Sequence, residues 1–158
     1  MKFPSRVYTE EEVELARTLI RRGYRHRIRI IGSQDFRSKV RAALSLIKKA
    51  GKYDFLRSYI RSIVEINGLS QLREADASIW LNKYAVEDPY EAASFIMQKA
   101  WQMSIYLQGI RHYGHIGETA AIKERIRFLK ELRDRCRDPK IRSECDKILS
   151  LWQESVFL

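Results

Sequence analysis

Residues 24–31, which read YRHRIRII, decide the fold class. Apolar or aromatic side chains alternate with arginines over the first seven of these positions. Successive side chains of a strand point to opposite faces, so we predict a strand whose inward face is Tyr24, His26, Ile28 and Ile30. Its arginines then face solvent. An all-α bundle, the alternative, requires a helical period through the same residues.

Helical patterns fill most of the remaining chain. Thr9 to Glu12 has the pattern of a capping box, and Ser33 can cap a second helix. Asp88-Pro89 is the strongest helix start, because Asp is a preferred cap and Pro suits the first helical position. The predicted helices cover residues 10–22, 34–50, 54–63, 89–108 and about 118–136, with a last one from 139 onward.

The residues between the helices add a small sheet. The short apolar stretch Ala77–Asn82 is a candidate second strand, and Asn67-Gly68 is either a helix C-cap or a hairpin turn. We therefore predict a helix-rich α+β fold in which five to seven helices surround a two- or three-stranded sheet. No linker or repeat divides residues 1–158, which indicates a single domain.

The charge balance is strongly basic. Lys and Arg total 30 against 20 Asp and Glu, which gives a net charge of +10. Such a surplus attracts anions, so an acidic protein or a nucleic acid is the expected partner. The candidate anion-binding side chains cluster at the predicted strand: Arg21, Arg22, Arg25, Arg27 and Arg29. The alternative is a solvated strand face that discourages aggregation between sheet edges.

Several classes are excluded by what the sequence lacks. No apolar run approaches the roughly 18 residues of a membrane span, and the N-terminus has no apolar leader. Cys136 and Cys145 are too few for a secreted disulfide scaffold, so we predict a cytoplasmic protein with no membrane partner. There is no P-loop, dinucleotide fingerprint, CxxC or nucleophile elbow, and no cofactor is predicted.

One local cluster has ligand types that zinc accepts: His112, His115 and Glu118. Its glycines indicate a loop, and nothing nearby in the sequence orients the three side chains. Two ordinary histidines in a surface loop are the favoured interpretation. A metal-dependent hydrolase built on these residues is the alternative.

The order of elements resembles that of a known group. The order is a strand at Ile28–Gly32, a helix at Phe36–Ile47, a strand at Ser78–Asn82 and a helix beginning Ala92–Phe95. These elements precede a segment that begins with Glu118-Thr-Ala-Ala-Ile122. This arrangement is similar to that of small bacterial and archaeal zincin-like proteins, a metallopeptidase-like group. The resemblance covers about residues 28–132. In that group the second helix carries HExxH, and a later helix supplies an acidic third ligand.

The diagnostic motif is lost in this chain. The HExxH positions hold Gln98-Lys99-Ala100-Trp101-Gln102. The resemblance places Gln98 and Gln102 where the histidines would be, Lys99 where the general base would be, and Glu118 at the third ligand. A carboxamide is a weak zinc ligand, and a protonated lysine repels the metal. If the resemblance does not hold, both glutamines are polar residues at the edge of a helix core.

The resemblance therefore implies a pseudoenzyme without catalytic or metal-binding residues. The function predicted is a non-catalytic binding or scaffold protein on a degenerate metallopeptidase-like frame, with an anionic partner favoured by charge. The alternatives are a nucleic-acid- or ribonucleoprotein-associated basic protein and a metal-dependent hydrolase.

Overall fold

The computed structural model describes residues 2–157, with side chains described as far as Trp152. Within this range the helices are α1 Glu10–Arg21, α2 Gln34–Lys49, α3 Tyr53–Tyr59, α4 Pro89–Leu107, α5 Gly114–Arg135 and α6 Pro139–Phe157. The strands are β1 Arg29–Ile31, β2 Ser62–Glu65, β3 Gln71–Arg73 and β4 Ser78–Leu81. The helix-rich α+β prediction is confirmed, although the sheet has four strands rather than two or three.

The sheet is mixed, and its spatial order is β1-β2-β4-β3. β1, β2 and β4 are parallel, while β3 runs antiparallel to β4. The register aligns Ile30, Ile63, Ile79 and Leu72 across the four strands, so these side chains share one face. That face packs into the hydrophobic core. The all-α alternative is therefore wrong.

The predicted strand at residues 24–31 is confirmed only in part. Only Arg29–Ile31 pairs within the sheet, because the neighbouring strand β2 begins at Ser62. The preceding residues lie beside the end of α3 instead, and the amide of His26 donates to the carbonyl of Arg57 at 2.7 Å. The alternation nevertheless persists through residues 24–30, since His26 is buried and the arginines are exposed.

Two predictions around β2 are wrong. The helix expected over 54–63 ends at Tyr59, and Ser62–Glu65 form a strand. Pairing with β1 on one side and β4 on the other outweighs local helix preference here. Asn67-Gly68 is neither a helix cap nor a hairpin turn. It lies in the connection from β2 to β3, which are separated in the sheet by β4.

The start of α5 also differs from the prediction. The helix begins at Gly114 rather than near Glu118, so His115 and Gly117 belong to its first turn. A Cβ at Gly117 would lie 2.5 Å from the carbonyl carbon of His112. This glycine therefore permits a close approach of backbone to backbone. The sequence pattern alone suggested a loop.

The helix starts predicted from capping residues are confirmed. Thr9 and Glu12 form a reciprocal capping box, Ser33 accepts from the amide of Phe36, and Asp88 accepts from the amide of Tyr90 at 2.8 Å. α4 lies at the centre of the molecule, where it packs against α2, α3 and α5. No helix in the described part of the chain is long and apolar enough to cross a membrane.

Candidate binding cleft

An open cleft of about 440 Å³ lies between α4, the start of α5 and the edge strand β3. We call it the α4 cleft. It contains all four positions that the resemblance assigns to a lost metal site, with Gln98, Lys99 and Gln102 on α4 and Glu118 on α5. Its other lining residues are Ser70, Gln71, Leu72, Glu74, Phe95, His112, Tyr113, Ile122, Arg125 and Trp152.

Two buried side chains in the cleft have polar atoms without partners. Gln102 is only 5% exposed, and its Nε2 donates to the carbonyl of His112 at 3.2 Å. Its Oε1 has no hydrogen-bond partner among the described residues, and neither has Nδ1 of the buried His112. Leaving such an atom unsatisfied costs about 1–3 kcal/mol. Two polar atoms buried beneath the surface of the cleft therefore have hydrogen-bonding capacity that the described residues do not use.

The environment of His112 favours the neutral form of its ring. Burial lowers the pKa of His112 below its ordinary value, and the charge of Lys99 acts in the same direction, against an opposing effect of Glu74. The ring packs edge-on against Tyr106 and Tyr113, with centroids 6.4 and 5.6 Å apart. An uncharged imidazole in this position can accept or donate one hydrogen bond.

Lys99 is a half-buried cation with no carboxylate within 4.0 Å in the described part of the chain. Its Nζ lies 4.9 Å from the centroid of Phe95, and the guanidinium carbon of Arg125 lies 5.5 Å from the same ring. Burial and the proximity of Arg125 lower the pKa of Lys99, while Glu118 and Glu74 oppose this effect. The two cations on one aromatic ring make this part of the cleft unfavourable for a metal ion.

Arg125 is held more firmly than Lys99. Its side chain is 12% exposed and contacts Glu91 at 3.0 Å and the hydroxyl of Ser94 at 3.1 Å. Its guanidinium carbon also lies 4.2 Å from the ring centroid of Trp152. Burial lowers the pKa of Arg125 to about 10, although the Glu91 carboxylate opposes this shift. Arg125 thus forms a fixed wall of the cleft.

The three residues of the alternative zinc site do not form a ligand set. His112 and Glu118 line the cleft, whereas His115 is exposed on the first turn of α5 and is absent from the lining. Among the described side chains, no three His, Cys, Asp or Glu residues lie close enough together to hold a metal ion. The geometry gives the metal-dependent hydrolase no support.

The five candidate anion-binding arginines are all exposed. Arg29 lies on β1, the sheet edge opposite β3, and Arg25 and Arg27 precede it. Arg21 and Arg22 lie at the end of α1. Arg21 contacts Glu14 at 3.4 Å, and Arg25 donates to the carbonyl of Tyr24 at 2.8 Å. The side chains of Arg22, Arg27 and Arg29 make no hydrogen bond or ion pair with any described residue. Their charges are therefore available to a partner.

Sequence reasoning missed some of the cleft. Arg125 is mostly buried, and the sequence analysis did not single it out. It lies seven residues after Glu118, which places both on the same helix face, so this spacing could have revealed it. Glu74 and Trp152 come from distant parts of the chain, and no local pattern connects them to α4.

Comparison of the chain with models of protein families, with curated proteins and with solved structures finds no match.

Proposed function

We propose that this chain is a non-catalytic binding protein on a degenerate metallopeptidase-like frame, and that the α4 cleft is its binding site. One observation carries the proposal. A single cleft, which also contains partnerless buried polar atoms, is lined by Gln98, Lys99, Gln102 and Glu118. These four residues lie within 20 positions of one another in the sequence.

The chemistry of the cleft favours binding over hydrolysis. Zinc peptidases need imidazole ligands and a carboxylate base to activate water. The corresponding side chains here are two carboxamides and a cation, Lys99. The HExxH positions therefore lack both the imidazole pair and the carboxylate base, and we propose that the cleft holds a ligand without hydrolysing it.

The side chains that line the cleft indicate what kind of ligand it would bind. Lys99 lacks a close carboxylate and favours an anionic group, while Phe95 and Ile122 supply apolar surface. The ligand expected is therefore partly apolar, with an anionic group that pairs with Lys99.

The frame is tested by restoring the motif. The triple variant Gln98→His, Lys99→Glu, Gln102→His should bind one zinc per chain through the two imidazoles and Glu118, as measured by elemental analysis after gel filtration. The same variant with Glu118→Gln is the control and should bind zinc more weakly. A folded triple variant without zinc would overturn the metallopeptidase-like frame. One tightly bound zinc in the wild-type protein would overturn the non-catalytic assignment.

A nucleic-acid- or ribonucleoprotein-associated protein is the second candidate. It is favoured by the exposed and partnerless side chains of Arg22, Arg27 and Arg29. Exposed arginines attract the phosphates of any nucleic acid, and such binding weakens steeply with salt.

A further inference from the structure

One face of the sheet stays outside the hydrophobic core. Ile30, Ile63, Ile79 and Leu72 occupy the core face, so the alternate positions point to the other side. We call that other side the open sheet face. Its members are Arg29, Ile31, Ser62, Val64, Gln71, Arg73, Ser78 and Trp80. None of its apolar members packs against the core, and Ile31 is 43% exposed, whereas Ser78 is buried.

The charge of the open sheet face is uniformly positive. Arg29 on β1 and Arg73 on β3 are both exposed, and its strand positions include no acidic residue. Arg25 and Arg27 precede β1 and alternate to the same side as Arg29. With strands about 4.8 Å apart, arginines mark the two borders of a platform about 14 Å wide.

An aromatic group lies between these borders. Trp80 on β4 is half-buried, and the guanidinium carbon of Arg73 lies 4.4 Å from its ring centroid. The indole and the guanidinium both have planar faces on which a nucleic acid base can stack. Tyr24, the aromatic residue nearest the arginines in sequence, does not serve this purpose, because it stacks on Phe3.

We propose that the open sheet face binds single-stranded nucleic acid, independently of the α4 cleft. Trp80 and Arg73 stack on a base, and Arg25, Arg27 and Arg29 contact the phosphate backbone. A positively charged surface with an aromatic side chain at its centre is the arrangement that single strands require. A duplex keeps its bases stacked on one another and cannot use Trp80. An acidic protein would use the arginines but not the stacked Trp80–Arg73 pair.

The experiment is fluorescence anisotropy of a labelled 12-nucleotide oligouridylate titrated with the full chain at several salt concentrations. Trp80→Leu removes the stacking ring but keeps an apolar side chain, and should weaken binding between about 5-fold and about 150-fold. The triple variant Arg25→Ala, Arg27→Ala, Arg29→Ala should flatten the slope of log K against log salt by about 2.1, since each phosphate on a single strand contributes about 0.7.

A matched control removes the same charge elsewhere. Arg137, Lys140 and Arg142 are exposed and lie around the start of α6. Replacing all three with Ala should change the affinity and slope far less than the Arg25, Arg27 and Arg29 replacement. Thermal melts check that every variant folds. Should Trp80→Leu fail to fold, Arg73→Gln tests the same stacked pair from an exposed position.

Three results would each overturn the proposal. The first is equal affinity for the oligouridylate and for a duplex of the same length. The second is unchanged binding in folded Trp80→Leu or Arg73→Gln protein. The third is an equal loss in the matched control. Tighter binding to polyglutamate than to the oligouridylate would assign the surface to an acidic protein instead.

Discussion

The α4 cleft and the open sheet face share the edge strand β3 but differ in how far their charged side chains are exposed to solvent. In the cleft, Lys99 and Arg125 are largely withdrawn from water, and burial lowers the pKa of both. On the open sheet face, Arg29 and Arg73 are exposed. Buried charges interact strongly with few partners, whereas exposed charges interact weakly with many. This difference is why we propose one specific ligand for the cleft and a polyanion for the open sheet face.

The largest expected effect concerns pH and the side of the molecule that carries the arginines. His26 lies between Arg25 and Arg27 in the sequence, is 3% exposed, and packs against Phe3 and Tyr24. Burial, with Arg61 and Arg57, lowers the pKa of His26 from 6.5 to about 4. The unfolded chain therefore binds a proton between these pH values and the folded chain does not. Stability should fall by about 3 kcal/mol as pH drops from 6.5 to 4.

Urea unfolding at several pH values measures this dependence. In His26→Phe protein the fall between pH 6.5 and 4 should be smaller, whatever the stability of the variant at pH 7. An identical pH dependence in the two proteins would show that His26 is not the group responsible. The burial of His26 would then have no consequence for stability in acid.

The next prediction tests the close packing of the first turn of α5 against the backbone of His112. Gly117→Ala should destabilise the protein by about 1–3 kcal/mol, because the added Cβ meets the backbone of His112. Gly68→Ala is the matched control, since a Cβ there has nothing within 4 Å. Urea unfolding measures both. Equal stabilities would mean that the close approach of α5 to His112 relaxes without cost.

Substitutions at Arg125 and Arg127 allow a charged side chain in the cleft to be compared with one on the surface of the same helix. Arg125→Ala removes a 12% exposed side chain from Glu91, Phe95 and Trp152, and should cost about 1–2 kcal/mol. Arg127 is 68% exposed and pairs with Glu124, so Arg127→Ala should cost at most about 0.5 kcal/mol. Thermal unfolding of the two variants distinguishes them, and similar losses would contradict the difference in burial.

The smallest expected effect is on the open sheet face. Replacing Arg25, Arg27 and Arg29 with Ala should change the free energy of unfolding by less than about 0.5 kcal/mol, because the side chains are exposed and lack acidic partners. Urea unfolding of the triple variant measures this change. A large loss of stability would mean that these arginines support the fold, and binding data from the variant would then need a gentler substitution.

Local signals predicted the helices well. The capping residues Thr9, Ser33 and Asp88 act within four residues of the groups they satisfy, so their meaning is present in the sequence. β2 was missed because its strand character comes from β1, 33 residues earlier, and from β4, 16 residues later. Pairing over such distances leaves little trace in a local pattern.

The two candidate sites differ in the same respect: the α4 cleft could be predicted from the sequence, and the open sheet face could not. The spacing of Gln98 and Gln102 on one helix was sufficient to place them together, and the resemblance connected them to Glu118. The pairing of Arg73 with Trp80 depends on the β3–β4 register, which places Gln71 opposite Trp80. The open sheet face therefore became visible only when the strand order was known.

The strand order also has a consequence for how the chain folds. Arg73 and Ser78 pair across a connection of four residues, whereas Arg29 and Ser62 pair across 32. The entropy lost on closing a loop rises with its length, and distant pairings slow folding. We expect the β3–β4 hairpin to form early and β1 to dock late. During synthesis or refolding, the arginine-bearing segment would then be the last strand to pair with the sheet. Until it pairs, the charge of its arginines would keep it from pairing with other chains.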